Sequence, residues 1–589
     1  MRTVEGPEPV HVDEGEHLTS ELWERADDDA TAVHHHVDGE WATVSWRQLA
    51  ERVRAVAGGL VAAGTAPGDR VVVMSSTRLE WTIADLAIVA AGAITVPIYE
   101  TDASDQCAWV CSNAGVRLAL AETTEHAERI EQVRDEAPDL GEVLVIEEGG
   151  LDELARRAGD DELEEVDRRL HQLDGDAVAS IVYTSGTTGR PKGCVLTHRN
   201  LVWSTRQATS ALEPLFEDED SSTLLFLPLA HIFTRVVQYG CLQRGVALGY
   251  ARSMEDLSED VETFRPTFLL GVPRVFEKIH NNARRQASGG VQRRVFEFAD
   301  DAADEVVDED TGLVTKAKAK AADTLVYEKV RESLGGRLHT FISGGAPLSG
   351  HLARFFEAAG ITILQGYGLT ETSSVITVDR PTAPRRGTVG PPLPGIEIGL
   401  ADDDEVLTRG EHVFQGYHRN QEATDEVLGS DGWYHTEDVG EIDEDGVLTL
   451  VGRKKDLIVT AGGKNVAPEP IEEAMKGNRL ISQPVLIGDD RPFVAALIAL
   501  DEEELASFAE ERGIDAPADE LPDHEDVRAE VERAIEDANE TVSRAESIRE
   551  FRILRRELSQ EQGELTPTMK PKREVITEHF VDEVEDIYS

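Results

Sequence analysis

A chain of 589 residues carrying a net charge of −56 at pH 7 is long enough for at least two folding units, and its charge excludes nonspecific binding to nucleic acid or anionic lipid as a main role. Such self-repulsion needs screening. The Debye length falls to roughly 3 Å near 1 M salt, so acids spread along the whole chain read as a salt-adapted, halophilic surface rather than an acidic interaction module.

Cys107, Cys111, Cys194 and Cys241 form no C-x-x-C metal pattern and are too sparse for a disulfide framework, so they read as small buried residues in a reducing compartment. The N-terminal MRTVEGPEPVHVDEGEH is acidic and lacks the apolar core of a secretory signal, and no uncharged stretch is long enough to cross a bilayer. A soluble, cytoplasmic protein is expected. From about residue 70 to 370, short apolar runs alternate with helix-period segments, the pattern of parallel strands joined by crossover helices. RVVVM, AITVPI, VRLAL, VLVI, ASIVYT, TLLFL, TFLLG, HTFI and ITILQ are the expected strands. EWTIADLAIVAAG, between the first two, is interrupted by Asp85 and reads as a packed core helix. Residues 285–335, with DDAADEVVDED and KAKAKAA, break the rhythm and predict an inserted, solvated helical excursion. After about residue 375, GTVGPPLPGIEIGL and GVLTLVG suggest a small barrel or sheet. Beyond VGRKKD, acidic helical segments such as DEEELASFAEERG point to a smaller α+β unit. The expectation is an α/β protein: a large N-terminal domain of parallel α/β layers plus a small β-barrel over 1–452, then a small α+β domain over 453–589.

The sharpest local feature is Tyr183-Thr-Ser-Gly-Thr-Thr-Gly-Arg-Pro-Lys-Gly193, following the strand VASIV. Gly186 and Gly189 let the backbone turn and present N–H groups. The hydroxyls of Thr184, Ser185, Thr187 and Thr188 donate to phosphate oxygens, and Lys192 supplies a compact charge. Arg-Pro after Gly189 sets the string apart from the Walker type; the bland alternative is a Ser/Thr/Gly-rich surface turn. The segment resembles the signature loop of the AMP-forming adenylate synthetases, the superfamily of acyl- and aryl-CoA ligases, carrier-loading adenylation domains and luciferases. Further strings then follow in the order that resemblance implies: Leu227-Pro-Leu-Ala-His-Ile-Phe233, Ser343-Gly-Gly-Ala-Pro-Leu-Ser349 and Gln365-Gly-Tyr-Gly-Leu-Thr-Glu-Thr372.

Each has a physical reading. Gly344, Gly345 and Ala346 are small enough for a purine to lie on the backbone, with Tyr367 stacking on its other face, in a loop shared with Gln365, Gly366 and Gly368. Thr370 can hydrogen-bond the α-phosphate, and Glu371 is a hard oxygen ligand for Mg²⁺ together with Thr187. By resemblance, His231 lies beside the acyl carboxylate and gates the path of the CoA thiol, although a lone histidine there is more often a satisfied helix-start residue. Asp438 in GWYHTEDVG can accept the ribose hydroxyls, and Arg453 can reach the same sugar. VGRKKDLI resembles the interdomain hinge, which puts Lys455 at the hinge or nucleotide contact; Val459 departs from the lysine many relatives carry. Gly462, Gly463 and Lys464 resemble the loop used in the thioester step. Lys570 in LTPTMKPKR resembles the adenylation lysine of a mobile C-terminal domain.

Lysine is scarce, the first being Lys192, and Lys192, Lys454, Lys455, Lys464, Lys570 and Lys572 all fall in these strings. They predict a cationic patch for anionic substrates. The resemblance implies two steps, acyl-adenylate formation from a carboxylate and ATP, then transfer to CoA, with ATP, Mg²⁺ and CoA required. It is strongest to bacterial-type long-chain fatty acyl-CoA synthetases, through ADLAIVAAGAITVPIYETDASDQ, GVPRVFEKI, LGGRLHTFISGGAPLS and GGKNVAP. The alternatives are a CoA ligase for a medium-chain, branched or aryl acid, a carrier-loading enzyme, or a non-catalytic acidic scaffold of the same fold. Peripheral membrane contact and a homodimer are left open.

Overall fold

The computed structural model describes residues 2–184, 190–218, 220–287, 290–306, 319–461, 464–540, 542–544, 546–566 and 570–589. Two largely parallel sheets build the N-terminal region. A six-stranded sheet runs Glu142–Val145, Val116–Ala121, Arg70–Met74, Ile94–Ile98, Val178–Thr184, Lys192–Thr197. Its first five strands are parallel, and the last turns back antiparallel on Val178–Thr184 with Thr184 opposite Lys192. An eight-stranded sheet runs Thr377–Val378, Thr362–Tyr367, Thr340–Ser343, Phe268–Gly271, Ser222–Leu225, Ala247–Tyr250, Thr31–Val37, Glu40–Ser45, parallel except for its two outermost pairings. Their apolar strands are buried on both faces, as crossover helices require.

All nine runs read as strands from the sequence contain strands. The N-terminal hairpin Thr31–Val37 and Glu40–Ser45 lay outside the predicted region, and Lys192–Thr197 lay hidden behind the signature loop. Asp85 does sit in a helix, Leu79–Ala90, and is wholly buried there. The expected barrel is realised as an open five-stranded antiparallel sheet, Arg2–Glu5, Glu397–Leu400, Glu405–Arg409, Tyr434–Ile442, Leu448–Arg453.

The helical excursion needs a correction. Within the described residues it is not wholly solvated: Phe296, Ala299, Ala322, Val326, Tyr327 and Val330 join a second core with Phe276, Phe341, Phe355 and Phe356. The Tyr327 hydroxyl donates to the Ala299 carbonyl at 2.7 Å. The charged composition hides an apolar stripe, since one helix can be acidic on one face and packed on the other.

Past Arg453 the chain builds its own cores around a three-stranded sheet, Ile481–Ile487, Val494–Leu500 and Ile548–Ile553, flanked by the helices Pro468–Lys476, Glu502–Arg512 and Glu525–Glu540. The pair Ile458–Val459 and Asn465–Val466 forms a separate hairpin in which Val459 is 42% exposed. This C-terminal unit is tied to the helix Pro273–Gln286 and to the excursion that follows it. Arg274 reaches Asp501 at 3.0 Å, Arg285 reaches Glu503 at 2.6 Å, and Arg293 pairs with Glu511.

Candidate active site

The signature loop and the strings after Leu225, Ser343 and Tyr367 leave the carboxyl ends of strands in the two largely parallel sheets, while Asp438 and Arg453 come from the antiparallel sheet. Tyr183 and Thr184 end one strand, Ser343 precedes Gly344, and Tyr367 ends the strand before Gly368. In α/β sheets the crevice beyond those ends is where ligands bind, because the loops there converge while the strands hold them rigidly. Ser185, Gly186, Thr187, Thr188 and Gly189 lie outside the described residues, as do Gly462 and Gly463.

The flanks of the signature loop are anchored by contacts the sequence did not reveal. Lys192 lies over the ring of Tyr417 at 4.8 Å, and the Tyr417 hydroxyl donates to Glu371 Oε1 at 2.8 Å. One tyrosine therefore joins the lysine of the loop to the acid of the Thr370-Glu371-Thr372 turn. No motif marks Tyr417; only the hydrogen bonds between its neighbours and the strand Lys192–Thr197 bring it there. Glu371 is buried and its carboxylate meets the Tyr417 hydroxyl and the Cys194 thiol, so its remaining lone pairs can serve as one hard ligand. That suits Mg²⁺, which typically takes one or two carboxylates and fills its shell with phosphate and water.

Backbone strain gathers at the same places. Ser373 and Ser374, just after the turn, have φ of +52° and +88°, and Glu437, beside Asp438, has φ of +61°. Non-glycine residues in this region cost of order 1–3 kcal/mol and persist where surrounding contacts over-determine them. Gly345 is also left-handed, at φ +83°. Gly368 answers a different need: a Cβ there would lie 1.5 Å from the Ser374 carbonyl oxygen. Its smallness serves the chain's own turn rather than a ligand.

Tyr367, Asp438 and Arg453 form a connected group. The Tyr367 hydroxyl donates to Asp438 Oδ2 at 2.5 Å and Arg453 Nε donates to Oδ1 at 2.7 Å, across the neighbouring strands Tyr434–Ile442 and Leu448–Arg453. Each carboxylate oxygen has two lone pairs, so both can still accept from a ligand hydroxyl. Gln365 is held by its backbone N–H on Asp379 Oδ2 at 3.2 Å.

His231 caps the helix Ile232–Arg244, its Nδ1 accepting from the Phe233 N–H at 3.2 Å. That bond fixes the neutral tautomer with the proton on Nε2. Burial, helped by the positive charge of Lys570, pushes the His231 pKa down to about 4. Lys570, more than three hundred residues on, is thus near enough for its charge to act on His231. By surface area Lys570 is exposed, while enough protein lies around it to desolvate its ammonium. That crowding lowers the ammonium pKa, Glu469 opposes it most strongly, and Arg453, Asp438 and Asp456 also act on it. Glu469 and Asp456 were not picked out from the sequence.

The lysine map changes in this light. Lys454 bonds Asp403 at 2.5 Å and Glu405 at 2.8 Å, Lys455 bonds Glu437 at 2.8 Å, and Lys464 lies 3.3 Å from Glu546. Among the described residues, Lys192, Lys570 and Lys572 have no carboxylate within 4 Å. The cationic patch is thus smaller than the sequence implied, because three of its six lysines are neutralised by their own chain.

Residues 21–418 match the AMP-binding enzyme family and residues 455–589 match the AMP-binding enzyme C-terminal domain. The chain is 42% identical to the long-chain-fatty-acid–CoA ligases FadD15 of Mycobacterium bovis and Mycobacterium tuberculosis, with 100% of both chains covered. It is 30% identical to human long-chain-fatty-acid–CoA ligase 1 over 93% of this chain and 82% of that one. Among solved structures, the adenylation domain of a carboxylate reductase from Mycobacterium chelonae superposes with a TM-score of 0.75 at 22% identity, covering 98% of this chain and 92% of that one. ATP-bound MatB from Rhodopseudomonas palustris gives 0.71 at 22% identity, over 98% and 100%. With the family matched over most of its length and near relatives aligned from end to end, the chain belongs to the AMP-binding enzymes.

Proposed function

We propose that this protein is an AMP-forming long-chain fatty acid–CoA ligase, which activates the acid with ATP and passes the acyl group to coenzyme A. One observation carries the reading: Lys570, from the C-terminal region, lies within electrostatic reach of His231 and of the bonded Asp438–Arg453 pair, and among the described residues no carboxylate is within 4 Å of it. That is the arrangement needed where a carboxylate and a nucleotide phosphate, both anions, must be brought together.

In the first step a carboxylate oxygen attacks the α-phosphorus and the bond to the bridging oxygen breaks, releasing pyrophosphate. Lys570 offsets charge on the reacting acyl and α-phosphate oxygens, Thr370 donates to the α-phosphate, and Lys192 with the signature-loop hydroxyls holds the departing group. Gly344, Gly345, Ala346 and Tyr367 flank the purine, and Asp438 and Arg453 take the ribose. When bound, Mg²⁺ neutralises phosphate charge, with Glu371 and Thr187 as its protein ligands. Orientation alone can lower such barriers by roughly 7–11 kcal/mol in favourable systems, so no protein nucleophile is needed. In the second step the CoA thiolate attacks the acyl carbonyl carbon and AMP leaves.

The domain boundary lies at 452/453 in this reading. The C-terminal domain turns about Lys454 and Lys455, withdrawing Lys570 and bringing Gly462, Gly463 and Lys464 to the thioester step past His231. No helix among the described residues is long and apolar enough to cross a membrane. A cytoplasmic place of work is part of this reading and is supported by the four free, buried cysteines, which suit a reducing compartment.

The test compares half-reactions in multimolar KCl. Lys570→Ala should lower pyrophosphate exchange by about 10²–10³-fold, the range for losing one charge-stabilising contact, while thioester formation from supplied acyl-adenylate persists. Equal losses in the two half-reactions would remove Lys570 from its role. AMP release with acids of increasing length then tests the substrate; a preference for branched or aryl acids would replace it.

A further inference from the structure

Away from the cleft, three side chains from three helices converge. His280 lies in Pro273–Gln286, Asp300 in Gly290–Val306, and His351 in the first turn of Gly350–Ala358. Their donor atoms all lie within 4.8 Å of one another, the only such histidine, cysteine and carboxylate group of three among the described residues. His280 Nε2 is 3.0 Å from Asp300 Oδ1, and His351 Nε2 is 3.3 Å from the same oxygen. Ligand bonds of about 2.0–2.2 Å in tetrahedral geometry put donors about 3.3 Å apart, so these separations suit one ion with little rearrangement.

The surroundings hold the donors in place. His280 is buried, its ring edge-on to Phe355 at 4.6 Å and to Phe296 at 5.4 Å. The two imidazole rings lie 5.6 Å apart, perpendicular. A cavity of about 50 Å³ adjoins the group, lined also by Glu277 and Asn281, which is room for a water as fourth ligand.

The charge on the cavity wall decides which ion fits. Arg274 is paired with Glu277 and Asp501, Lys476 with Glu473, and Arg479 with Glu504 and Glu511. Arg284 also lines the wall and adds positive charge. A hard cation held by charge alone gains little there. Two imidazoles and one carboxylate instead suit a borderline ion that accepts nitrogen donors. We propose that His280, Asp300 and His351 bind one divalent transition-metal ion of the zinc or cobalt class. The ion ties the helical excursion to the body of the N-terminal domain. It does so beneath the segment Lys476–Ile481 of the C-terminal region, whose residues line the same cavity.

The test uses the full chain, stripped with a chelator, dialysed into KCl buffer and titrated with Co²⁺. Wild type should take up one equivalent, seen as visible d–d absorption of tetrahedral intensity that Zn²⁺ abolishes by displacement. Saturating Zn²⁺ should also raise the melting temperature, and Mg²⁺ at the same concentration should not. His351→Ala, His280→Gln and Asp300→Asn should each lose the equivalent, while His171→Ala, altering an exposed histidine elsewhere, should keep it. If His280→Gln fails to fold, the partly exposed His351 decides the matter. No stoichiometric uptake by wild type, uptake unchanged in His351→Ala and Asp300→Asn, or an equal thermal effect of Mg²⁺ would each overturn the site.

Discussion

Among the described residues, two clusters each join one aspartate, one arginine and one tyrosine, and they differ chiefly in what surrounds them. In the first, Arg235 donates to Asp85 Oδ1 at 2.7 Å and the Tyr239 hydroxyl donates to Oδ2 at 2.6 Å. Arg235 also reaches Ser180 Oγ at 2.8 Å and lies over the Trp81 ring, and both charged side chains are 0% exposed. In the second, Asp438 accepts from Tyr367 and from Arg453 in the same way, but the Arg453 side chain is 38% exposed. Only its Nε is used on the aspartate, which leaves the outer guanidinium N–H groups of this partly exposed side chain as further donors. The chemistry is the same in kind. Access is what separates them: one is a closed tie between helices and sheet, and the other has an arginine open to solvent, as the proposed ribose contact requires.

The largest effect should come from breaking the closed cluster. Asp85→Ala leaves the Arg235 guanidinium without its counter-charge in the core, a loss of about 3–5 kcal/mol that denaturant unfolding would read. Replacing both partners, Asp85→Leu with Arg235→Met, should recover much of it. If the double variant is as unstable as the single one, the tie is not what holds these elements.

Asp438→Ala should reverse the balance between stability and activity. Arg453 can turn to water, so folding suffers less than in Asp85→Ala. The nucleotide loses hydrogen bonds to a charged group, each worth about 1.5–3 kcal/mol, so kcat/KM for ATP in pyrophosphate exchange should drop at least about tenfold. A variant that is destabilised as much as Asp85→Ala but binds ATP normally would make the second cluster structural as well.

The sequence could not distinguish the two. Asp85 was legible as a polar interruption in an apolar helix, and Asp438 through its motif, but nothing in the spacing announced Arg235 or Tyr239. Strands were legible because alternation and apolar runs are local properties of the chain. The loop glycines were legible as turns, although Gly368 answers to the Ser374 carbonyl, a contact set by the fold of the turn. Tyr417, Glu469 and the acid partners of Lys454, Lys455 and Lys464 were not, because each contact depends on where distant segments meet. The excursion misled for a related reason: composition averages over a helix, whereas packing depends on one face of it.

A pair of histidines sharpens the comparison at smaller amplitude. His198 is 1% exposed, its Nδ1 accepts from the Leu18 N–H, and burial pushes its pKa down to about 3. Between that value and the ordinary 6.5, the unfolded chain binds a proton the folded chain does not. Its contribution to stability is therefore complete above about pH 6.5 and is lost as the pH falls toward 3, at up to about 1.4 kcal/mol per pH unit. His198→Asn should flatten the acid side of the stability profile, read from urea midpoints at pH 5 and 7. His231 is depressed partly by a charge from the other domain, so Lys570→Ala should raise the His231 pKa in a histidine-labelled NMR titration and leave His198 unmoved. If His231 does not move, Lys570 is not docked beside it in solution.

The smallest effect concerns ion pairs that are neither closed nor in the cleft. Arg285 is 39% exposed and spans the domains to Glu503 at 2.6 Å, with Glu504 at 3.7 Å. Such a pair is worth about 0–1 kcal/mol, so Arg285→Ala should leave the unfolding midpoint nearly unchanged. Its effect should appear instead in the balance between domain orientations. In the proposed two-step cycle the pair belongs to the orientation that brings Lys570 to the nucleotide, so losing it should lower the ratio of pyrophosphate exchange to thioester formation by no more than about fivefold, the equivalent of 1 kcal/mol. Exposed pairs are screened, so the change should shrink in multimolar KCl, while that of Asp438→Ala, whose carboxylate is buried, should persist. A ratio change of Arg285→Ala that is equally large in dilute and concentrated salt would mean that the side chain acts through packing and not through its charge.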